Sequence, residues 1–135
     1  MPFTDPATCL ALAIYWEARN QPTSGQVAVA QTILNRVSDK RFPNNICAVV
    51  TQGPRRNGMP IKHRCQFSFY CDGKSDHPTN LLAYDKAKYL AFATMSLQTV
   101  DISDGALYYH SVTVSPDWAS EKEEVARITD HVFYK

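Results

Sequence analysis

The stretch DPATCLALAIYWEARN, residues 5–20, decides how this chain is read. Asp5 before Pro6 is an N-cap followed by proline at the first helical position, where the missing N–H is no loss. Asn20-Gln21-Pro22 ends that helix near Arg19. Leu10, Ala13 and Ile14 form an apolar stripe at helical spacing, and Glu17 is the next position on it. A carboxylate on such a stripe is costly unless it is paired or protonated. Burial raises a carboxyl pKa, and a general acid working near neutral pH needs that rise. Pairing with Arg19 or Arg36, or a plain helix-end charge, is the structural alternative.

Outward from this helix, Val27, Ala30, Ile33, Leu34 and Val37 recur at helical spacing and predict a second helix from Ser24 to Val37. Phe42-Pro43-Asn44-Asn45 breaks the chain, and Ile46 to Val50 forms one more helical turn. Residues 53–64, punctuated by Gly53-Pro54, Gly58 and Pro60, read as a loop. The aromatic alternation of Cys65 to Tyr70 predicts a short strand or extended segment, and Asp72-Gly73 a turn. A long helix follows from Thr79 to Leu97, with Leu82, Tyr89, Phe92, Ala93 and Leu97 as its core face. After a break at Asp101 to Gly105, Ala106 to His110 is extended and Ser115 to Trp118 a loop. The end of the chain reads two ways: a helix opened by a Ser120/Glu123 capping box, or a strand from Ile128 to Tyr134. The expected fold is mainly α (α+β), a single domain over residues 1–135 with three main helices and a small extended or β region.

The 135 residues are one domain's worth, and a hydrophobic share of 44% is ordinary for a globular chain. A net charge of +1 argues against a nucleic-acid partner. Arg55, Arg56, Lys62 and Arg64 are either a solvated loop or a local attraction for an anionic polymer. No stretch approaches the ~18 apolar residues of a membrane span. The first residues lack a positive n-region and a small-residue cleavage site, so they do not read as a signal peptide; the protein then starts in the cytoplasm, or its leader has been removed. Cys9, inside an apolar pattern, reads as a buried small hydrophobe. Cys47, Cys65 and Cys71 either share one disulfide or stay reduced. His63, Cys65, Cys71 and His77 lack the paired short spacing of structural zinc sites. Neither a metal nor a cofactor is expected.

Several motifs in order resemble the SleB/CwlJ-type cell-wall hydrolases: Ala13 to Asn20, Gly25 to Gln31, Leu34 to Val37, Arg41 to Pro43, Cys65 to Ser68, Ala106 to His110, Pro116 to Trp118 and His131 to Tyr134. The resemblance runs from about Leu10 to Tyr134. It implies a lysozyme-like domain related to lytic transglycosylases, with Glu17 of the Glu-Ala-Arg motif as the acid and peptidoglycan glycan strands as substrate. The family often carries a second glutamate four positions on; Gln21 stands there, against a second essential carboxylate at that site. In transglycosylase chemistry one group protonates the glycosidic oxygen and then deprotonates the muramoyl C6 hydroxyl, which closes on C1. The alternative adds water with a second carboxylate, for which Asp72 and Asp117, both turn-like, are the candidates. Gln66, Ser68, Tyr109, His110 and Trp118 are the expected substrate contacts. Phe67 and Phe69 read as core anchors and His131 as structural, and Asn35 and Arg36 brace the acid's helix. Without a leader, the domain suggests a monomeric phage endolysin, held in the host cytoplasm until its release toward the wall; the alternative is a host-encoded wall-remodelling or germination enzyme, periplasmic or at the cell wall after removal of its signal. The rivals are a zinc amidase or endopeptidase, for which the scattered histidines show no HExxH spacing, and a non-catalytic wall-binding module.

Overall fold

The computed structural model of this chain describes residues 2–96 and 100–135. Helix α1 spans Pro6–Ala18, and Asp5 caps it by accepting a hydrogen bond from the Thr8 amide at 3.0 Å. Cys9 to Tyr15 and Ala18 are all buried, so α1 is enclosed on every side. The expected stripe was too narrow: a helix apolar all round is the central element of its core. Helix α2 (Thr23–Val37), the short α3 (Ile46–Val50) and α4 (Leu81–Ser96) surround it. Asn45 caps α3 through the Ala48 amide at 2.8 Å. The Tyr15 hydroxyl accepts from the Thr79 and Asn80 amides at 3.2 and 3.0 Å, tying the start of α4 to the central helix.

The face of α4 differs from expectation. Leu82, Tyr89 and Phe92 are 83%, 69% and 66% exposed, while Ala87, Leu90 and Ala91 are buried. Apolar residues occur around most of this helix, so spacing alone fits two faces. The alanine-bearing face permits the closer approach to α1. Ala93 is half-buried, and Leu97 lies outside the described residues.

Two disulfides correct the reading of Cys9 and settle the alternative left open for the other three cysteines. Cys9 pairs with Cys47, joining α1 to α3, and Cys65 pairs with Cys71. Cys9 is therefore a cross-link as well as a core residue, and the Cys65 and Cys71 thiolates of the conceivable zinc set are used up. A pairing across 38 residues is made by packing, with Cα atoms brought to 5.3 Å, and no local pattern announces it.

Within residues 53–64 the chain forms a small hairpin of β1 (Arg55–Arg56) and β2 (Met59–Pro60). It turns through Asn57 and Gly58 at φ 54° and 80°, the left-handed pair that a two-residue hairpin loop demands. Cys65 to Tyr70 is not a strand. Ser68–Cys71 is a 3₁₀ turn, yet the alternation of burial survives: Phe67 and Phe69 are inside, Gln66 and Ser68 outside. Phe67 and Phe69 are thus the core anchors expected.

The remaining strands β3 (Tyr108–Ser111), β4 (Glu124–Ile128) and β5 (His131–Tyr134) form an antiparallel sheet in the order β3-β5-β4. The capping-box alternative is not realised: a 3₁₀ turn over Asp117–Glu121 leads directly into β4. Helix α2 sets the position of this sheet. Gln31 donates to the Val100 carbonyl and accepts from the Ile102 amide. Asn35 donates to Asp101, Ser103 and the Ala106 carbonyl. Arg36 donates through Nε to the Leu107 carbonyl at 2.7 Å. These residues brace the segment that feeds β3, rather than the acid's helix as expected.

Candidate active site

Glu17 sits in the last turn of α1, with Tyr109 of β3 above it. The Tyr109 hydroxyl donates to Glu17 Oε1 at 2.5 Å. Burial raises the Glu17 pKa; the Tyr109 hydrogen bond and the Arg36 charge pull it down less than burial pushes it up. Burial and the adjacent carboxylate push the Tyr109 phenol well above its ordinary value, so Tyr109 keeps its proton and remains the donor. Glu17 belongs to none of the ion pairs among the described residues. The salt bridge to Arg19 is not formed. Arg19 lies instead over the Tyr15 and Trp16 rings at 4.9 and 5.0 Å.

A cavity of about 270 Å³ opens beside the pair, lined by Arg36, Gln66, Tyr108, Tyr109, Trp118 and Lys122. Gln66 also lines a more polar cavity of about 570 Å³ with Gln52, Arg64 and Cys65. The two spaces meet across this one side chain. Trp118 is half-buried against Tyr108, His110 and Tyr134, at ring-centroid distances of 5.9, 5.6 and 5.3 Å. Its packed neighbours hold the indole rigid at the cavity wall, an arrangement suited to stacking on a flat apolar face.

The structure therefore brings Tyr109, Gln66 and Trp118 to one cavity, with Tyr109 the one that touches Glu17, and separates two other expected contacts. His110 follows Tyr109 on the strand and points to the opposite face. Its ring nitrogens meet the Tyr134 hydroxyl at 2.8 Å and the Ser111 carbonyl at 2.7 Å, and it lines a different cavity. Ser68 is exposed at the start of its 3₁₀ turn and lines neither of the two cavities that Gln66 shares. His131 is buried edge-on against Tyr109 at 5.3 Å, and burial lowers its pKa, which favours a neutral ring with a packing role.

The charge acting on Glu17 is that of Arg36, and no carboxylate perturbs it. Asp72 accepts from the Lys74 amide in its turn, and Asp117 is exposed at the start of the Asp117–Glu121 3₁₀ turn. Gln21 is engaged elsewhere: it accepts from the Thr129 hydroxyl at 2.7 Å and donates to Asp130, tying the end of α1 to the β4–β5 turn. Sequence reasoning missed Lys122 and the place of Arg36 in the cavity wall. An isolated lysine four residues after Trp118 carries no pattern. Arg36 signals itself only by interrupting the buried face of α2.

A family model described as Cell Wall Hydrolase matches residues 20–134. Two curated relatives are spore cortex-lytic enzymes. That of Bacillus subtilis (strain 168) is 31% identical over 92% of this chain and 35% of its own length. That of Oceanobacillus iheyensis is 32% identical over 93% of this chain and 40% of its own. The chain thus spans well under half the length of these relatives. Two solved structures share its fold. The catalytic domain of the germination-specific lytic transglycosylase SleB from Bacillus anthracis superposes with a TM-score of 0.71 at 28% identity, covering 98% of this chain and 95% of that one. The catalytic domain of the Bacillus cereus SleB protein gives 0.73 at 30% identity, covering 96% and 89%. The mainly helical, lysozyme-like fold expected from the motifs is the fold of these catalytic domains. With the family model spanning most of its length and both relatives aligned almost end to end with it, this chain belongs to the Cell Wall Hydrolase family.

Proposed function

We propose that this chain is the monomeric catalytic domain of a peptidoglycan-cleaving glycosidase that works as a lytic transglycosylase at the MurNAc–GlcNAc bond. One observation carries the reading: Glu17 is held by Tyr109, which lines a cavity of about 270 Å³, with its pKa raised by burial and no carboxylate among the charges that shift it. A raised pKa keeps the proton available near neutral pH. Glu17 donates it to the glycosidic oxygen as the bond to C1 breaks. The resulting carboxylate, oriented by Tyr109 and stabilised by the Arg36 charge, then takes the proton of the muramoyl C6 hydroxyl. That oxygen bonds to C1 and leaves a 1,6-anhydro end, with Glu17 protonated again. A water-adding enzyme of either stereochemistry places a second carboxylate within ~5–9.5 Å of the acid.

The two cavities that share the Gln66 side chain as a wall offer room for more than a single sugar, and Trp118 offers a ring face for stacking. Gln66, Tyr109 and Trp118 are the groups proposed to touch the glycan. The two disulfides favour a site of action outside the reducing cytoplasm. If the protein is a phage endolysin, they close on release toward the wall; if it resembles its relatives in setting, the substrate is cortex peptidoglycan.

Digestion of purified peptidoglycan followed by mass spectrometry of the muropeptides tests this. Anhydro-muramoyl ends are expected. Ends heavier by one water would assign a muramidase, and intact glycan with released stem peptides would overturn the glycosidase reading.

A further inference from the structure

The cavity beside Glu17 holds two cationic side chains and no anion. Arg36 is 2% exposed, and its Nη1 is buried without a hydrogen-bond partner. The guanidinium lies among aromatic rings, 5.0 Å from Phe42, 5.5 Å from Phe67 and 5.7 Å from Tyr108. Lys122 is half-buried, with its ammonium 3.9 Å from the Tyr108 ring centroid, on the same cavity. The ion pairs among the described residues join Arg41 to Asp39, Lys88 to Asp85 and Arg127 to Glu124, and neither Arg36 nor Lys122 belongs to one. A buried charge with no ion-pair partner in contact is costly, and the carboxylate that acts on Arg36 is that of Glu17, whose own pKa burial raises. The enclosed Arg36 and the half-buried Lys122, facing one small space, favour an anion that enters it.

We propose that this cavity is a carboxylate-binding subsite, in which Lys122 makes the direct contact and the enclosed Arg36 adds its field, so that the enzyme selects glycan bearing anionic groups at the muramoyl residue. The proposal rests on the glycan reading above and names what the groove recognises beyond the sugar rings. Cation–π contact with Tyr108 holds the ammonium at the cavity mouth when it is empty. A carboxylate arriving there forms a charge-assisted hydrogen bond to Lys122, and the Gln66 amide supplies a further donor on the same wall. The carboxylate has two sources on the substrate: the stem peptide, or the muramoyl lactyl group where the stem has been removed.

Lys122→Met and Lys122→Arg, each checked for an unchanged melting temperature, are compared with the parent on four glycans. These are intact stem-bearing strands, strands stripped of stems by an amidase, and both after carbodiimide coupling of their carboxylates to methylamine. Lys122→Met is expected to raise KM about tenfold on carboxylate-bearing strands with little change in kcat, and Lys122→Arg to restore most of it. On the blocked strands parent and variant should converge. A KM effect on intact strands alone assigns the stem carboxylate, and one retained on stripped strands assigns the lactyl group. A parent that cleaves blocked and unblocked glycan with equal KM, or a Lys122→Met effect that persists on blocked strands, overturns the subsite while leaving the glycosidase standing. A parent that cleaves none of the four overturns both.

Discussion

At the scale of single residues, the proposed role of Glu17 joins stability to activity. Folding raises its pKa, so between the unfolded and folded values the native state binds more protons than the unfolded one. Stability then falls as pH rises through that window. Glu17→Gln removes the ionisation. The variant is expected to melt higher than the parent at about pH 7, with the difference closing below about pH 4, where unfolded and folded carboxyls are both protonated. Thermal melts across pH check this; a Gln variant less stable than the parent at neutral pH would contradict it. Its glycan-cleaving rate should fall by at least ~100-fold, the loss expected for a general acid.

Tyr109 tests the same carboxyl from the other side. Its hydroxyl stabilises the charged form of Glu17. Tyr109→Phe should therefore raise the Glu17 pKa and move the alkaline limb of the rate–pH profile upward, along with any loss of rate from misorientation. An unmoved or lowered limb would show that the hydrogen bond does not govern the acid. Gln21, by contrast, is spent on the β4–β5 turn, and its amide has a structural reason to be there.

At the scale of elements, α4 shows where periodicity gives two answers. Leu90 is buried and Leu82 is open to solvent, although both lie on apolar arcs. Leu90→Ala should cost about 2–4 kcal/mol of unfolding free energy in denaturant melts. Leu82→Ser and Tyr89→Ser should stay within about 0.5 kcal/mol. A large cost at Leu82 would mean that the exposed arc is covered. The helices α1 and α2 were legible because their ends carry local signals, Asp5-Pro6 at the start of one and Pro22 between them. The segment around Gln66 was legible in burial and not in backbone: Phe67 and Phe69 go in and Gln66 stays out, while the Cys65–Cys71 link curls the chain into a turn instead of a strand.

At the scale of the molecule, the two disulfides do different work. Cys9–Cys47 closes a long loop between α1 and α3, and Cys65–Cys71 closes a short one around Gln66. Chain-entropy arguments give about 4 kcal/mol for the first and about 2 kcal/mol for the second. Cys9→Ala should lower the melting temperature more than Cys71→Ala. Cys71→Ala should act chiefly on KM, because it loosens the segment that carries Gln66 to the groove. Equal melting losses with unchanged KM in both would count against that division.

The sequence by itself determined the helical frame of α1 and α2, the extended character of β3, and Glu17 as the group we propose does the chemistry. Each depends on neighbours within a few positions: a cap, a stop, a repeat of apolar residues, or a motif. Tertiary structure alone decided the cysteine pairing, the buried side of α4, which of Tyr109 and His110 meets Glu17, and the meeting of Arg36 with Lys122 at one cavity. Those outcomes depend on which distant surfaces come within a few ångströms when the core closes. No local pattern encodes that distance, since the same residues would satisfy more than one packing until α1 is enclosed on every side.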